Sequence, residues 1–141
     1  MIKYNKKENQ SKLFLSSDAD KWYLRNQKNI YSKKYYYENE LIFKVLSNFK
    51  KNINKILQVG CSNGFALKNL CDYFDACGNG VDFSTKAIND GNNYFKKNAI
   101  KNIKLDISLA SSLPFKKLSF DLLYFGFCFY LIDRDLLNKS I

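Results

Sequence analysis

The chain has 141 residues, 46% of them hydrophobic, a formal net charge of +10 and no histidine. That is enough chain and enough apolar side chain for one domain with a real core. It excludes a zinc site built on imidazole, and the four cysteines, Cys61, Cys71, Cys77 and Cys128, show no C-x-x-C spacing; they read as reduced, mostly buried thiols, and no metal site is expected.

The opening MIKYNKKENQSK lacks the apolar stretch of a signal peptide, and the longest near-unbroken apolar run, Leu122 to Ile132, is well short of the roughly 20 residues that span a bilayer. The expectation is a soluble, cytoplasmic protein with no membrane partner. The positive charge invites a nucleic-acid reading. It is nearly all lysine, only Arg25 and Arg134 being arginine, and is spread along the chain among asparagines. A solvated lysine surface is therefore favoured over a polyanion-binding face.

In chain order, residues 1 to about 18 are polar and aperiodic and are expected to be mobile. A short helix is predicted from Asp20 to Leu24, then a polar break around Asn26 to Asn29. In SKKYYYENELIFKVLSNF, the residues Leu41, Ile42, Val45, Leu46 and Phe49 recur at helical spacing and predict a packing helix. A regular alternation follows. Ile53 to Val59 reads as a strand, Phe65 to Phe74 as a helix burying Leu67, Leu70, Cys71 and Phe74, and Ala76 to Asp82 as a second strand. Ser84 can cap the next helix, which turns Ala87, Ile88, Tyr94 and Phe95 inward. Asn102 to Leu105 is a weak third strand. A polar loop with the lone proline, Pro114, leads to a fourth, Phe120 to Phe125, and Leu131 to Leu137 can start a further helix. This alternation with doubly apolar strands predicts an α/β fold, an open, mostly parallel Rossmann-like sheet with flanking helices. Residues 1–30 form its N-terminal extension and 31–141 the domain proper.

In such a sheet the ligand crevice lies beyond the carboxyl ends of the strands. The loop Gly60-Cys61-Ser62-Asn63-Gly64 is placed there by the strand ending at Val59, although a plain strand-to-helix turn would look similar. A P-loop needs Gly-Lys-Ser/Thr, and here Phe65 and Ala66 follow Gly64. A dinucleotide fingerprint G-x-G-x-x-G would need glycines at Ser62 and Phe65. Yet Asp82 ends the second strand 22 residues after Gly60, about the interval at which these folds place a carboxylate on ribose hydroxyls. The pattern fits a nucleoside without a pyrophosphate.

KILQVGCSNGFAL, GNGVDFSTKAI, LDISLASSLPF and SFDLLYFGFCFYL, in that order, resemble the motif series of the class I S-adenosylmethionine-dependent methyltransferases over residues 53 to 137. The resemblance implies a sheet whose first four strands run in the order 3-2-1-4. It implies S-adenosylmethionine as cofactor, with Gly60, Cys61, Ser62, Asn63 and Gly64 around its methionine part and Gln58 near the methionine end, where many members have a carboxylate. Asp82 would accept from the ribose hydroxyls, and Phe83 would lie against the adenine. Asp106 would take the adenine amino group beside the Ile107 backbone, and Phe125 and Gly126 would border the sulfonium.

DKWYLRN resembles the N-terminal lids of small-molecule and sugar-modifying members, with Trp22, Arg25 and Asn26 toward the substrate; a surface helix with a packed Trp22 reads equally well. The implied acceptor is a small molecule or sugar, and no catalytic base is singled out. The usual fold has seven strands, so the chain is expected to be a fragment, of doubtful activity as it stands, with an open fourth-strand edge available for self-association. Two other readings stand beside this one: a non-catalytic interaction or RNA-binding module, and a nicotinamide-dependent oxidoreductase.

Overall fold

A computed structural model describes residues 18–31 and 37–128. Four strands, β1 (Lys55–Val59), β2 (Cys77–Asp82), β3 (Ile103–Ile107) and β4 (Leu122–Phe125), form one parallel sheet in the order β3-β2-β1-β4. The helices are α1 (Asp18–Ile30), α2 (Tyr37–Leu46), α3 (Phe65–Phe74) and α4 (Thr85–Lys97), with a 3-10 segment, Ser47–Asn52, after α2. The parallel sheet in this order is the one expected.

Helices α3 and α4 each connect parallel neighbours while the chain steps one way across the sheet, so right-handed crossovers put both on one face. There Leu67, Leu70 and Phe74 of α3 and Ile88 and Phe95 of α4 close on Ile56, Ile103 and Leu105. Burying each of these large side chains is worth about 1.5–3 kcal/mol, which is why α3 forms where its apolar period places it. After β3 the direction reverses, and residues 108–121 cross the other face, where Leu113, Phe115 and Phe120 pack on Leu57, Val59 and Val81. Asp121 ties the start of this β1–β4 pair, accepting the N–H groups of Asn54 and Lys55 at 2.9 Å each. The reversal makes the carboxyl end of β1, between β2 and β4, the switch point of the sheet.

Three expectations change. The first helix is not a short piece ending near Leu24 but runs unbroken through Asn26 and Asn29 to Ile30, because its buried face, Ala19, Tyr23 and Ile30, continues past them. In α2 the packed residues are Ile42, Phe43 and Leu46 with buried Asn39, whereas Leu41, Val45 and Phe49 are exposed, Val45 by 71%. A polar residue at a buried position hid the true period, and the 3-10 segment carried Phe49 off the stripe. The strands begin one or two residues later than read, and β3 extends to Ile107. The expected mobility of the first 17 residues and the helix from Leu131 lie outside the described residues. Among those described, no helix is long and apolar enough to cross a membrane.

Candidate cofactor site

Strand register brings the sequence candidates into line. Val59 pairs with Val81 and Phe125, and Asp82 with Ile107, so Gly60, Asp82, Ile107 and Gly126 stand together at the carboxyl edge of the sheet. The glycine loop turns there because Gly60 and Gly64 take φ of 74° and 75°, the left-handed region that glycine enters without a Cβ penalty; Ser62 joins them at 51°. The Gly60 N–H donates to the Val81 carbonyl at 2.8 Å and the Gly64 N–H to Cys61 at 2.9 Å, which closes the loop over the end of β2.

Asp82 is fixed from both sides. One carboxylate oxygen accepts the Ser62 N–H at 2.7 Å and the other the Ser84 N–H at 2.8 Å. Burial pushes its carboxyl above the ordinary value, the Ser84, Ser62 and Phe83 N–H groups pull it back, and nearby Asp20 adds to the rise. A carboxylate has about four lone-pair sites, so the Ser62 and Ser84 bonds leave room on Asp82 for a further donor.

Among the described residues, four buried side-chain polar atoms have no hydrogen-bond partner: Gln58 Oε1, Ser62 Oγ, Asn63 Nδ2 and Asn39 Oδ1. Gln58, Ser62 and Asn63 belong to the loop or to the strand that leads into it, and Asn39 donates its amide to the Ala66 carbonyl in the first turn of α3 at 3.1 Å. Unpaired buried polar groups cost about 1–3 kcal/mol each, so a cluster of them beside an acid at a switch point fits a polar ligand. Gln58 and Asn63 are almost wholly buried. Gly126 donates to the Val59 carbonyl at 2.8 Å, and a Cβ on it would lie 2.6 Å from the Gly60 carbonyl oxygen and 2.9 Å from Gln58 Nε2.

The remaining candidates divide. Phe83 is half-buried beside Asp82, while Asp106 and Ile107 are exposed at the end of β3. The Phe125 ring packs into the cluster of Leu57, Val59 and Val81, so the backbone after it, not the ring, reaches Gly60. Cys61 faces the core, and burial followed by the nearby Asp82 charge drives its thiol well above the usual range; the same two causes push Cys128 up to about 11. Neither is a thiolate nucleophile. Among the described residues no cluster of three potential ligands could hold a metal.

In α1 the side chains of Tyr23 and Gln27 reach α4, the Tyr23 hydroxyl donating to Asp90 at 2.8 Å and Gln27 at 3.0 Å. Trp22 and Arg25 are exposed, and Asn26 donates to its own helix at the Trp22 carbonyl. Sequence reasoning missed Asp20, whose carboxylate accepts the Ser84 hydroxyl at 2.7 Å and the Lys86 N–H at 3.1 Å. It also missed Gly91, where a Cβ would collide with the Asn63 carbonyl and lie 2.5 Å from Leu105. A glycine in mid-helix was a readable signal for Gly91; nothing local marks Asp20.

A family model for the methyltransferase domain matches residues 56–141. No curated protein is significantly similar to the chain. Among solved structures, the PH0226 protein from Pyrococcus horikoshii OT3 is 22% identical, with 85% of this chain and 57% of that one covered and a TM-score of 0.67. MccD protein is 28% identical over 64% of this chain and 42% of its own, TM-score 0.55. PKMT2 from Rickettsia typhi, solved in complex with AdoHcy, is 24% identical over 62% and 17%, TM-score 0.54. The chain thus spans less than two thirds of each of these proteins. With the family match the oxidoreductase reading falls, and the chain belongs to the methyltransferase-domain family, with a class I Rossmann-like fold.

Proposed function

We propose that this chain binds S-adenosylmethionine at the carboxyl end of β1 and β2 and serves methyl transfer to a small-molecule or sugar acceptor. The observation that carries the reading is Asp82, held by the Ser62 and Ser84 N–H groups with lone pairs to spare, among the unpartnered atoms of Gln58, Ser62 and Asn63. When bound, the cofactor supplies a methyl group on a sulfonium, a good leaving group, which an O, N, S or C nucleophile takes to leave S-adenosylhomocysteine.

In this reading Asp82 accepts from both ribose hydroxyls. The loop Gly60, Cys61, Ser62, Asn63 and Gly64 meets the amino and carboxylate ends through backbone groups, helped by the Ser62, Asn63 and Gln58 side chains. Phe83 and Ile107 flank the adenine, Asp106 accepts from its amino group, and Gly126 with the Phe125 backbone borders the sulfonium. Alignment of the acceptor supplies much of the rate, so no particular base is required. The small-molecule acceptor is supported by the resemblance of DKWYLRN to lids of that class. Self-association through β4, one of the two sheet edges among the described residues, belongs to the same proposal.

Calorimetric titration with S-adenosylhomocysteine tests the reading. Wild type should bind, and Asp82→Asn should weaken binding about tenfold, the worth of a charge-assisted hydrogen bond. Ribose hydroxyls donate to the ionised acid, so affinity should fall as pH drops through the raised Asp82 pKa, and this acid limb should vanish in Asp82→Asn. Asp20, held below the usual range, stays ionised there, and Cys61 and Cys128 stay neutral. The same raised pKa means that the contribution of Asp82 to stability is fully present below its unfolded value and is lost as pH rises through the folded one. A folded wild type that gives no heat, or an Asp82→Asn variant that binds equally well, would overturn the reading.

A further inference from the structure

We propose that Asp20 is a positioning residue of the cofactor site, which from helix α1 holds the turn that aims Asp82. The inference rests on Asp82 as the ribose-binding acid. Ser84 is where the two acids meet: its N–H donates to Asp82 at 2.8 Å, its hydroxyl donates to Asp20 at 2.7 Å, and the same hydroxyl oxygen accepts the Ala87 N–H at 3.1 Å. Asp20 also takes the Lys86 N–H, at 3.1 Å. Two of the first helical N–H groups of α4 are therefore satisfied by Ser84 and by a residue more than sixty positions away in sequence. The backbone from Asp82 to Ala87 is thereby held by the glycine loop on one side, through Ser62, and by α1 on the other.

The service Asp20 performs is geometric. Its charge opposes ionisation of Asp82, so nothing electrostatic about the pair favours the site. Nor is Asp20 the anchor of α1: Tyr23 and Gln27 bind Asp90, Tyr23 is fully buried, and the Tyr31 ring meets Phe65 edge-on at a centroid separation of 5.0 Å. With those contacts intact, loss of Asp20 leaves α1 docked and frees the turn alone.

Calorimetry with S-adenosylhomocysteine on five proteins tests this. Asp20→Ala should weaken binding about five- to tenfold, the range expected for lost charge-assisted bonds that orient a ligand-binding group. Asp20→Asn, which keeps an acceptor for the Lys86 N–H and the Ser84 hydroxyl, should stay within about twofold of wild type. Tyr23→Phe, which removes another α1–α4 bond, should bind as wild type does. If wild type binds and Asp82→Asn is weakened while Asp20→Ala is unaffected, the inference fails and the proposed function stands. If wild type does not bind, both fail. Equal losses in Asp20→Ala and Tyr23→Phe would assign the effect to helix docking in general and overturn the role of Asp20. Should Asp20→Ala not fold, hydrogen exchange on wild type decides: the ligand should slow exchange of the Lys86 amide, and an unchanged rate overturns the coupling.

Discussion

Gly91 stands in mid-helix, where alanine would ordinarily be favoured by about 1 kcal/mol. Here the added Cβ meets the Asn63 carbonyl and the Leu105 side chain, both part of well-packed surroundings. Overpacking of that kind costs about 1–3 kcal/mol, and backbone gives way less readily than a side-chain tip. We expect Gly91→Ala to lower stability by about 1–2 kcal/mol in urea unfolding and to weaken S-adenosylhomocysteine binding, because α4 would push the glycine loop at Asn63. A gain in stability with unchanged binding would show that the loop yields freely. Asp82 and the glycine loop were legible as residues, since their spacing reports the strand ends that carry them. Gly91 was legible only as an anomaly, and Asp20 not at all, because its partners Ser84 and Lys86 come from an element it meets only in the folded state.

The elements follow the sequence where one face is uniformly apolar. Helix α3 buries the four residues its period predicts, Leu67, Leu70, Cys71 and Phe74. Helix α4 starts where Ser84, in extended conformation, caps it through the Ala87 N–H. Ser84→Ala should cost about 1 kcal/mol for the cap alone. Because it also removes the donor that Asp20 accepts, the loss in urea unfolding should exceed that of a cap on an isolated helix. A loss no larger than the cap value would show that the Asp20 bond adds nothing to stability. Element boundaries were harder to read. Helix α1 looked broken at its asparagines, but burial of Tyr23 and Ile30 against α4 overrides their weak preference. In α2 a buried asparagine, bonded to the Ala66 carbonyl, occupied a position the apolar period could not reveal.

At the scale of the molecule, the net charge is +10; among the described residues the lysines are exposed except half-buried Lys68, and only two ion pairs, Lys21–Asp18 and Lys68–Asp72, form. Such a surface repels itself at low ionic strength, and salt screens it. The thermal midpoint should therefore rise as sodium chloride is increased from about 0.01 to 0.3 M, where the Debye length shrinks from roughly 30 Å to under 10 Å. Affinity for S-adenosylhomocysteine should change little over the same range, because Asp82 and the loop amides are largely shielded from solvent. A midpoint that falls with salt would show that the net repulsion is too weak to matter.

What the amino-acid sequence determined by itself was the order of elements, the parallel sheet and which residues stand at its carboxyl edge. Those depend on local periodicity, on glycines that must take positive φ, and on handedness rules that hold for any chain of this pattern. What only the tertiary structure decided was how Asp82 is held. Its two clamping N–H groups belong to the turn after β1 and the turn after β2, and the acid that braces the second turn comes from α1. Hydrogen bonds between segments brought together by packing leave no period or motif in the sequence, so this bracing appears only once the helices have closed on the sheet.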